Sequence, residues 1–339
     1  MNLEMLQNTI DQLVVQGRGI LAADESAPTI KKRFDSIGIE ATEASRRTYR
    51  EMLFQTPDLE KFISGIILFE ETLEQVTHDQ TPFPELLIKK GIVPGIKVDK
   101  GLIPLLGNTE GHTVTQGLDG LGQRLEHYKA YGARFTKWRA ALRIAPNSRL
   151  AIQENAQILA RYAAIAQQHD YIPIVEPEVL IEGSHTMKQC SAFTETLLRE
   201  VFGALAQHNV LLEYIILKPS MVISGNTCSV QETVDAVSEE TLKILKRTVP
   251  AAIPSINFLS GGQTPEQATA HLNRMNQMLN TTNVRPWSLS FSYARALQAP
   301  ALTAWGGNDK SIKIAQSVLA KRAQLNSLAT QGDYEITME

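Results

Sequence analysis

Short apolar runs recur along the chain, and each ends in a polar or charged residue. They are "GILAAD" (19–24), "GIILFE" (65–70), "PGIKVD" (94–99), "ARFTKWR" (133–139), "IPIVEPE" (172–178), "YIILKPS" (214–220), "SINFLSGG" (255–262) and "WSLSFSYAR" (287–295). Most are continuous rather than alternating, the pattern of parallel strands covered on both faces. Between the later runs the period lengthens to that of a helix. "RLAIQENAQILARYAAIAQQH" carries Leu150, Ile158, Leu159, Tyr162 and Ile165 at helical spacings, and "MKQCSAFTETLLREVFGALAQH" sets Leu197, Leu198, Val201 and Leu205 on one stripe. "TPEQATAHLNRMNQML" opens with Thr264 as N-cap and Pro265 at the first helical position. An amphipathic helix is predicted over 1–17, and a further helix with a short tail over 308–339.

From Asp99 through Lys137, Glu176, Lys218 and Ser260 to Ser292 the steps are 38, 39, 42, 42 and 32 residues. Each suits one strand–helix unit, and eight such units predict an α/β fold, a (β/α)8 TIM barrel, as a single domain over 1–339. A doubly wound sheet usually has fewer strands and a glycine-rich turn after the first. Here "DESAPT" follows instead.

Composition narrows the classes. With 339 residues, 43% hydrophobic and 20% charged, the chain can bury a sizeable core, and a net charge of -3 gives no reason to expect nucleic acid or an anionic membrane as partner. Cys190 and Cys228 make neither a disulfide framework nor a metal cluster, which fits a reducing cytosol. The first residues lack the order of a signal peptide, and no apolar run approaches the ~20 residues of a membrane span. A cytoplasmic protein is expected.

In a barrel the C-terminal ends of the strands converge on one mouth. Those ends supply Asp24, Lys97, Asp99, Lys137, Arg139, Glu176, Glu178, Lys218, Ser260 and Arg295. Any one of them alone reads as a strand meeting solvent. Ten together, nine of them charged and of both signs, on one concave surface must pair or act. Lys218, facing Lys137 and the glutamates of "VEPE", suits a lysine whose neutral amine attacks a ketone to form a Schiff base. It equally suits a lysine that only salt-bridges Glu176 or Glu178, and the residues alone leave both open. Glu176 and Glu178, two apart on one strand, can point to the same side. One of them could shuttle protons, and Asp24 could take a hydroxyl proton in C–C cleavage, unless it merely caps the helix that follows.

After the seventh and eighth runs, where barrels commonly hold a phosphate, stand "FLSGGQ" and "FSYAR". Gly261 and Gly262 let backbone N–H groups approach oxygens, Ser260 and Ser292 donate, and Arg295 supplies charge. Lys32, Arg33, Lys97 and Arg139 form a second cationic group. No HxH, HExxH or dense carboxylate cluster is present, so no metal is expected. Together these residues suggest a lysine-dependent carbon–carbon lyase acting on a phosphorylated keto sugar.

"GILAADES", "GIKVDKG", "TQGLDGL", "KWR", "PIVEPE", "LKP", "FLSGGQ", "FSYARALQ" and "AWGG" together resemble class I fructose-bisphosphate aldolase, in that family's order and across nearly the whole chain. The resemblance implies a cytoplasmic homotetramer of glycolysis and gluconeogenesis. It would cleave fructose 1,6-bisphosphate to dihydroxyacetone phosphate and glyceraldehyde 3-phosphate, without metal or other cofactor. Lys218 matches the Schiff-base lysine and Glu176 the general acid/base, with Glu178 and Lys137 assisting. Asp24 matches the carboxylate that handles the C4 hydroxyl. Ser260, Gly261, Ser292 and Arg295 match the ketone-side phosphate site. Ser26, Thr29, Lys32, Arg33, Lys97 and Arg139 match groups around the other phosphate.

Three positions depart from the family pattern. Ala294 replaces the glycine of "FSYGR", where its amide can donate only if the backbone keeps a negative φ. Ser220 replaces the Asn of "LKPN". The sequence given stops at "GDYEITME", with Tyr334 the nearest tyrosine to Glu339, whereas the family carries a tail ending in a tyrosine that moves the carbon-acid proton. That step then falls to another group or water, to Tyr334, or proceeds more slowly. Sedoheptulose 1,7-bisphosphate presents the same ketone end and stands as an alternative substrate.

Overall fold

The computed structural model describes residues 1–107, 110–282 and 284–339. Its strands are β1 (Gly19–Ala23), β2 (Ile63–Leu68), β3 (Val93–Lys97), β4 (Leu102–Pro104), β5 (Thr113–Thr115), β6 (Phe135–Leu142), β7 (Ile172–Val179), β8 (Ile216–Leu217), β9 (Ser255–Phe258) and β10 (Ser288–Tyr293). All but β4 and β5 close into a parallel barrel in the order β1-β2-β3-β6-β7-β8-β9-β10. These are the eight expected runs. The antiparallel hairpin β4–β5 is an insertion that the apolar pattern did not predict, because its residues are mostly exposed or half-exposed.

The helices are α1 (Leu3–Leu13), α2 (Ala27–Asp35), α3 (Glu43–Phe54), α4 (Glu70–Glu74), α5 (Phe83–Lys89) and α6 (Leu121–Ala130). They continue with α7 (Arg149–Gln168), α8 (Met187–Gln207), α9 (Val234–Thr248), α10 (Pro265–Asn280), α11 (Arg295–Trp305) and α12 (Ile312–Gln331). Thr264 caps α10 through a capping box with Gln267, as its sequence predicts. On α7 the buried stripe differs from the expected one. Leu150 is 43% exposed, while Ala151, Ala156, Ala160, Ala163 and Ala166 carry much of the covered face. Small residues let α7 lie close to its strands and to α8, and a scan for large apolar residues passes over them.

Apolar packing falls into two layers. One lies between strands and helices, with Trp138, Tyr162 and Phe258 among its fully buried members. The other plugs the floor of the barrel: Leu6, Ile10 and Leu13 of α1 pack under Ile20, Ala22, Ile67, Val93, Phe135, Ile172, Ile174 and Ile216. Gly95 makes room there, since a Cβ on it would stand 2.3 Å from the Phe135 ring. With the floor filled, the open end is the mouth.

Candidate active site

Inward positions recur every second residue of a strand, so each strand continues from floor to mouth. Ile20 and Ala22 lead to Asp24, Phe135 to Lys137 and Arg139, Ile172 and Ile174 to Glu176 and Glu178, and Ile216 to Lys218. Register holds them level: Lys97 sits opposite Lys137, and Arg139 opposite Glu176. The Lys218 N–H still donates to the Val175 carbonyl at 2.8 Å, and Pro219, lacking an N–H, ends the ladder. The result is a cavity of about 750 Å³.

At its base four buried side chains form a chain of opposite charges. Lys137 Nζ lies 2.6 Å from Asp24 Oδ2 and 3.3 Å from Glu176 Oε2, and Lys218 Nζ lies 3.3 Å from Glu176 Oε1. Lys218 is 3% exposed, so it faces these partners and the cavity with little contact with bulk solvent. Burial would raise the Asp24 and Glu176 pKa values, but the Lys137 and Lys218 ammoniums overcome it and hold both carboxyls below their usual range. For Lys137 burial works the other way, and Asp24 with Glu176 outweighs it to push the ammonium well above the ordinary lysine range. Asp24 is no helix cap: the N-cap of α2 is Ser26.

Around this base runs a ring of paired cations. Arg139 binds Glu178, and Lys97 binds Asp99 at 2.6 Å. Asp99 also accepts from the Gly101 N–H at 3.1 Å. Ser26 and Thr29 hydroxyls lie 3.1 Å apart at the start of α2, beside Lys32 and Arg33. Lys32 and Arg295 line the cavity without an ion pair among the described residues, which leaves them available to anions.

Across the barrel from Lys97 and Arg139, at the ends of β9 and β10, stand Ser260, Gly261, Ser292, Ala294 and Arg295. The Ser292 hydroxyl is buried and has no hydrogen-bond partner among the described residues. Gly261 and Gly262 turn at φ +51° and +84°, conformations that a side chain disfavours. Ala294 has φ −103°, so the alanine needs no glycine-only backbone, and α11 begins directly after it. Gly262 lies just outside the lining, against Ile181. Ser220 turns away from the cavity: its hydroxyl accepts from the Val179 N–H at 2.9 Å and donates to the Val179 carbonyl at 3.0 Å.

Sequence reasoning missed Glu25 and Arg50. Glu25, next to Asp24, is buried between Arg33 and Arg50, the latter at 2.5 Å, and accepts from Gln298 at 2.8 Å. It thereby fixes Arg33 at the rim. Only the doubled acid of "AADES" hinted at it. Tyr334 lies elsewhere, its hydroxyl 2.8 Å from Glu339 and its backbone paired with Asn273 of α10.

Among the described residues no cluster of three His, Cys, Asp or Glu side chains is arranged to hold a metal ion, and no helix is long and apolar enough to cross a membrane. The family model described as fructose-bisphosphate aldolase class-I matches residues 5–339. A protein of Xanthomonas axonopodis pv. citri named probable fructose-bisphosphate aldolase class 1 is 51% identical, over 99% of this chain and 100% of its own. Arabidopsis thaliana fructose-bisphosphate aldolase 6, cytosolic, is 52% identical, over 94% of this chain and 88% of its own. Among solved structures, the Plasmodium falciparum fructose-bisphosphate aldolase, in a complex with TRAP and a small-molecule inhibitor, superposes with a TM-score of 0.95 at 48% identity. That match covers 98% of this chain and 95% of the other.

Proposed function

The chain belongs to the class I fructose-bisphosphate aldolase family and is a carbon–carbon lyase, and from that premise we propose a Schiff-base mechanism centred on Lys218. The observation that carries it is the Lys218–Glu176–Lys137–Asp24 chain at the base of a cavity with anion-binding groups on two sides. Lys218 passes a proton to Glu176, 3.3 Å away, and the free amine attacks the C2 ketone of fructose 1,6-bisphosphate. Within the adduct a proton moves from nitrogen to oxygen. Glu176 then returns its proton to that hydroxyl, which leaves as water, and the nitrogen becomes a cationic iminium.

Glu176, again a carboxylate, takes the C4 hydroxyl proton as the C3–C4 bond breaks, and the bonding pair flows into the iminium to give an enamine. Glyceraldehyde 3-phosphate departs. Protonation at C3 and hydrolysis then release dihydroxyacetone phosphate. Asp24, held ionised by Lys137, orders that ammonium beside Glu176 and the C4 oxygen. The buried Tyr334 is engaged with Glu339, which supports giving the C3 proton to a group of the mouth or to water.

Ser260, Gly261, Ser292, the Ala294 amide and Arg295 take the ketone-side phosphate, with Gly262 supplying the turn. Ser26, Thr29, Lys32, Arg33, Lys97 and Arg139 take the other, with Glu178 orienting Arg139. Sedoheptulose 1,7-bisphosphate, with the same ketone end, is the second substrate of this reading. One domain spans 1–339, acting in the cytosol in glycolysis and gluconeogenesis, as the cytosolic relatives suggest. Exposed Leu102, Ile103 and Leu106 on and beside the hairpin suit a homotetramer.

Loss of the ketone oxygen tests the mechanism. Fructose 1,6-bisphosphate labelled with heavy oxygen at C2 should exchange that atom into water at each turnover, with full activity in chelator. Retained label, or inactivation by chelator, contradicts it.

A further inference from the structure

Behind the phosphate cradle lies a pair of side chains that the reaction above does not use. Gln263 ends the turn begun by Ser260 and does not line the cavity. Its amide Nε2 donates to the Ser260 carbonyl at 3.1 Å and to the Met221 sulfur at 3.6 Å, three residues past Lys218. Its Oε1 lies 2.6 Å from Nδ1 of His271, a residue of α10 that is 6% exposed. Because the Gln263 amide nitrogen already faces a carbonyl, its oxygen must face His271, and Nδ1 must carry the hydrogen. Burial depresses the imidazole pKa to about 4, so the ring stays neutral near pH 7.

The Ser260 carbonyl also receives the Gln263 backbone N–H at 2.9 Å. A peptide unit is planar and trans, so its C=O and N–H point in opposite directions. Two donors that hold the Ser260 carbonyl therefore also aim the next N–H, that of Gly261, the other way. Among the described residues that N–H meets no protein acceptor. Glycine at φ +51° and +84° would otherwise let this peptide plane rotate.

We infer that Gln263, oriented by His271, is a positioning residue that locks the Ser260–Gly261 peptide so that the Gly261 N–H is ready for the ketone-side phosphate. By touching Met221 the same amide ties the cradle to the segment that carries Lys218, so phosphate and amine keep a fixed separation. This rests on the aldolase reading of the site.

The test is borohydride trapping on the full chain with two ligands, dihydroxyacetone phosphate and unphosphorylated dihydroxyacetone. Gln263→Leu should raise the half-saturating concentration of dihydroxyacetone phosphate about tenfold and leave that of dihydroxyacetone unchanged. His271→Leu should act in the same direction, and His271→Asn, which can still donate, should stay within about twofold of the parent. Equal weakening toward both ligands would reduce the pair to general support of the fold and overturn the inference. So would a His271→Asn variant as impaired as His271→Leu. If Gln263→Leu does not fold, the two His271 variants decide alone. Failure of the parent chain to trap either ligand would instead overturn the reading of the site, and this inference with it.

Discussion

The floor and the mouth of the barrel are built by the same strands, often two residues apart, yet they obey different rules. Ile174 and Ile216 at the floor are fully covered by apolar neighbours, and a filled volume is all that is asked of them. Glu176 and Lys218, one inward position further on, are buried too but charged; Lys218 persists beside Glu176, 3.3 Å away, and Glu176 between Lys218 and Lys137. The floor stores stability in packing; the mouth holds a costly arrangement that the rest of the molecule supports.

That contrast can be broken from either side. Replacing Lys218 with Met should abolish turnover, by roughly 10⁴-fold or more, while the chain stays folded, since Glu176 keeps Lys137. Steady-state cleavage and a thermal melt on the same sample would check both halves. Ile216→Ala should do the reverse, costing about 2–5 kcal/mol of stability with little change in turnover per folded molecule.

Acid titration sharpens the comparison through His271. Its folded pKa of about 4 lies below the ordinary 6.5, so below pH 6.5 the unfolded chain binds the proton first. Stability from this group is therefore complete above pH 6.5 and declines toward pH 4, by up to roughly 3 kcal/mol. Denaturant midpoints measured across that window should flatten in His271→Asn. Asp24 and Glu176 act in the same direction but only at lower pH, because the lysines hold them ionised.

Gly95→Ala, at the floor, should cost about 1–3 kcal/mol by driving a methyl into the Phe135 ring and leave KM unchanged. The smallest effect expected is that of Glu178→Gln, which frees the partly exposed Arg139. A few-fold rise in KM with kcat nearly intact would place Glu178 in binding rather than in proton transfer.

Much of this was legible in the residues. Apolar runs ending in a polar or charged residue marked all eight barrel strands, and the spacing from Asp99 to Ser292 marked the repeat, because covered parallel strands leave little room for polar residues. The members of the mouth could be collected for the same reason: a charged residue at the end of a buried strand is costly and stands out. What stayed hidden had no such signal. The hairpin β4–β5 has little apolar pattern, and α7 packs through alanines. Glu25 and Arg50 meet across elements apart in sequence, and Gln263 and His271 meet only because the turn after β9 folds back on α10, so the folded chain alone brings these partners together. Whether Asp24 capped a helix, and whether Ala294 could keep its amide facing the cavity, depended on backbone angles that composition does not carry.

Borohydride reduction of the protein with dihydroxyacetone phosphate, followed by peptide mapping, tests the central claim most directly. One covalent adduct is expected, on Lys218 within "EYIILKPSMV", and none in Lys218→Met. Label on Lys137 or any other lysine, or no label at all, would contradict the account.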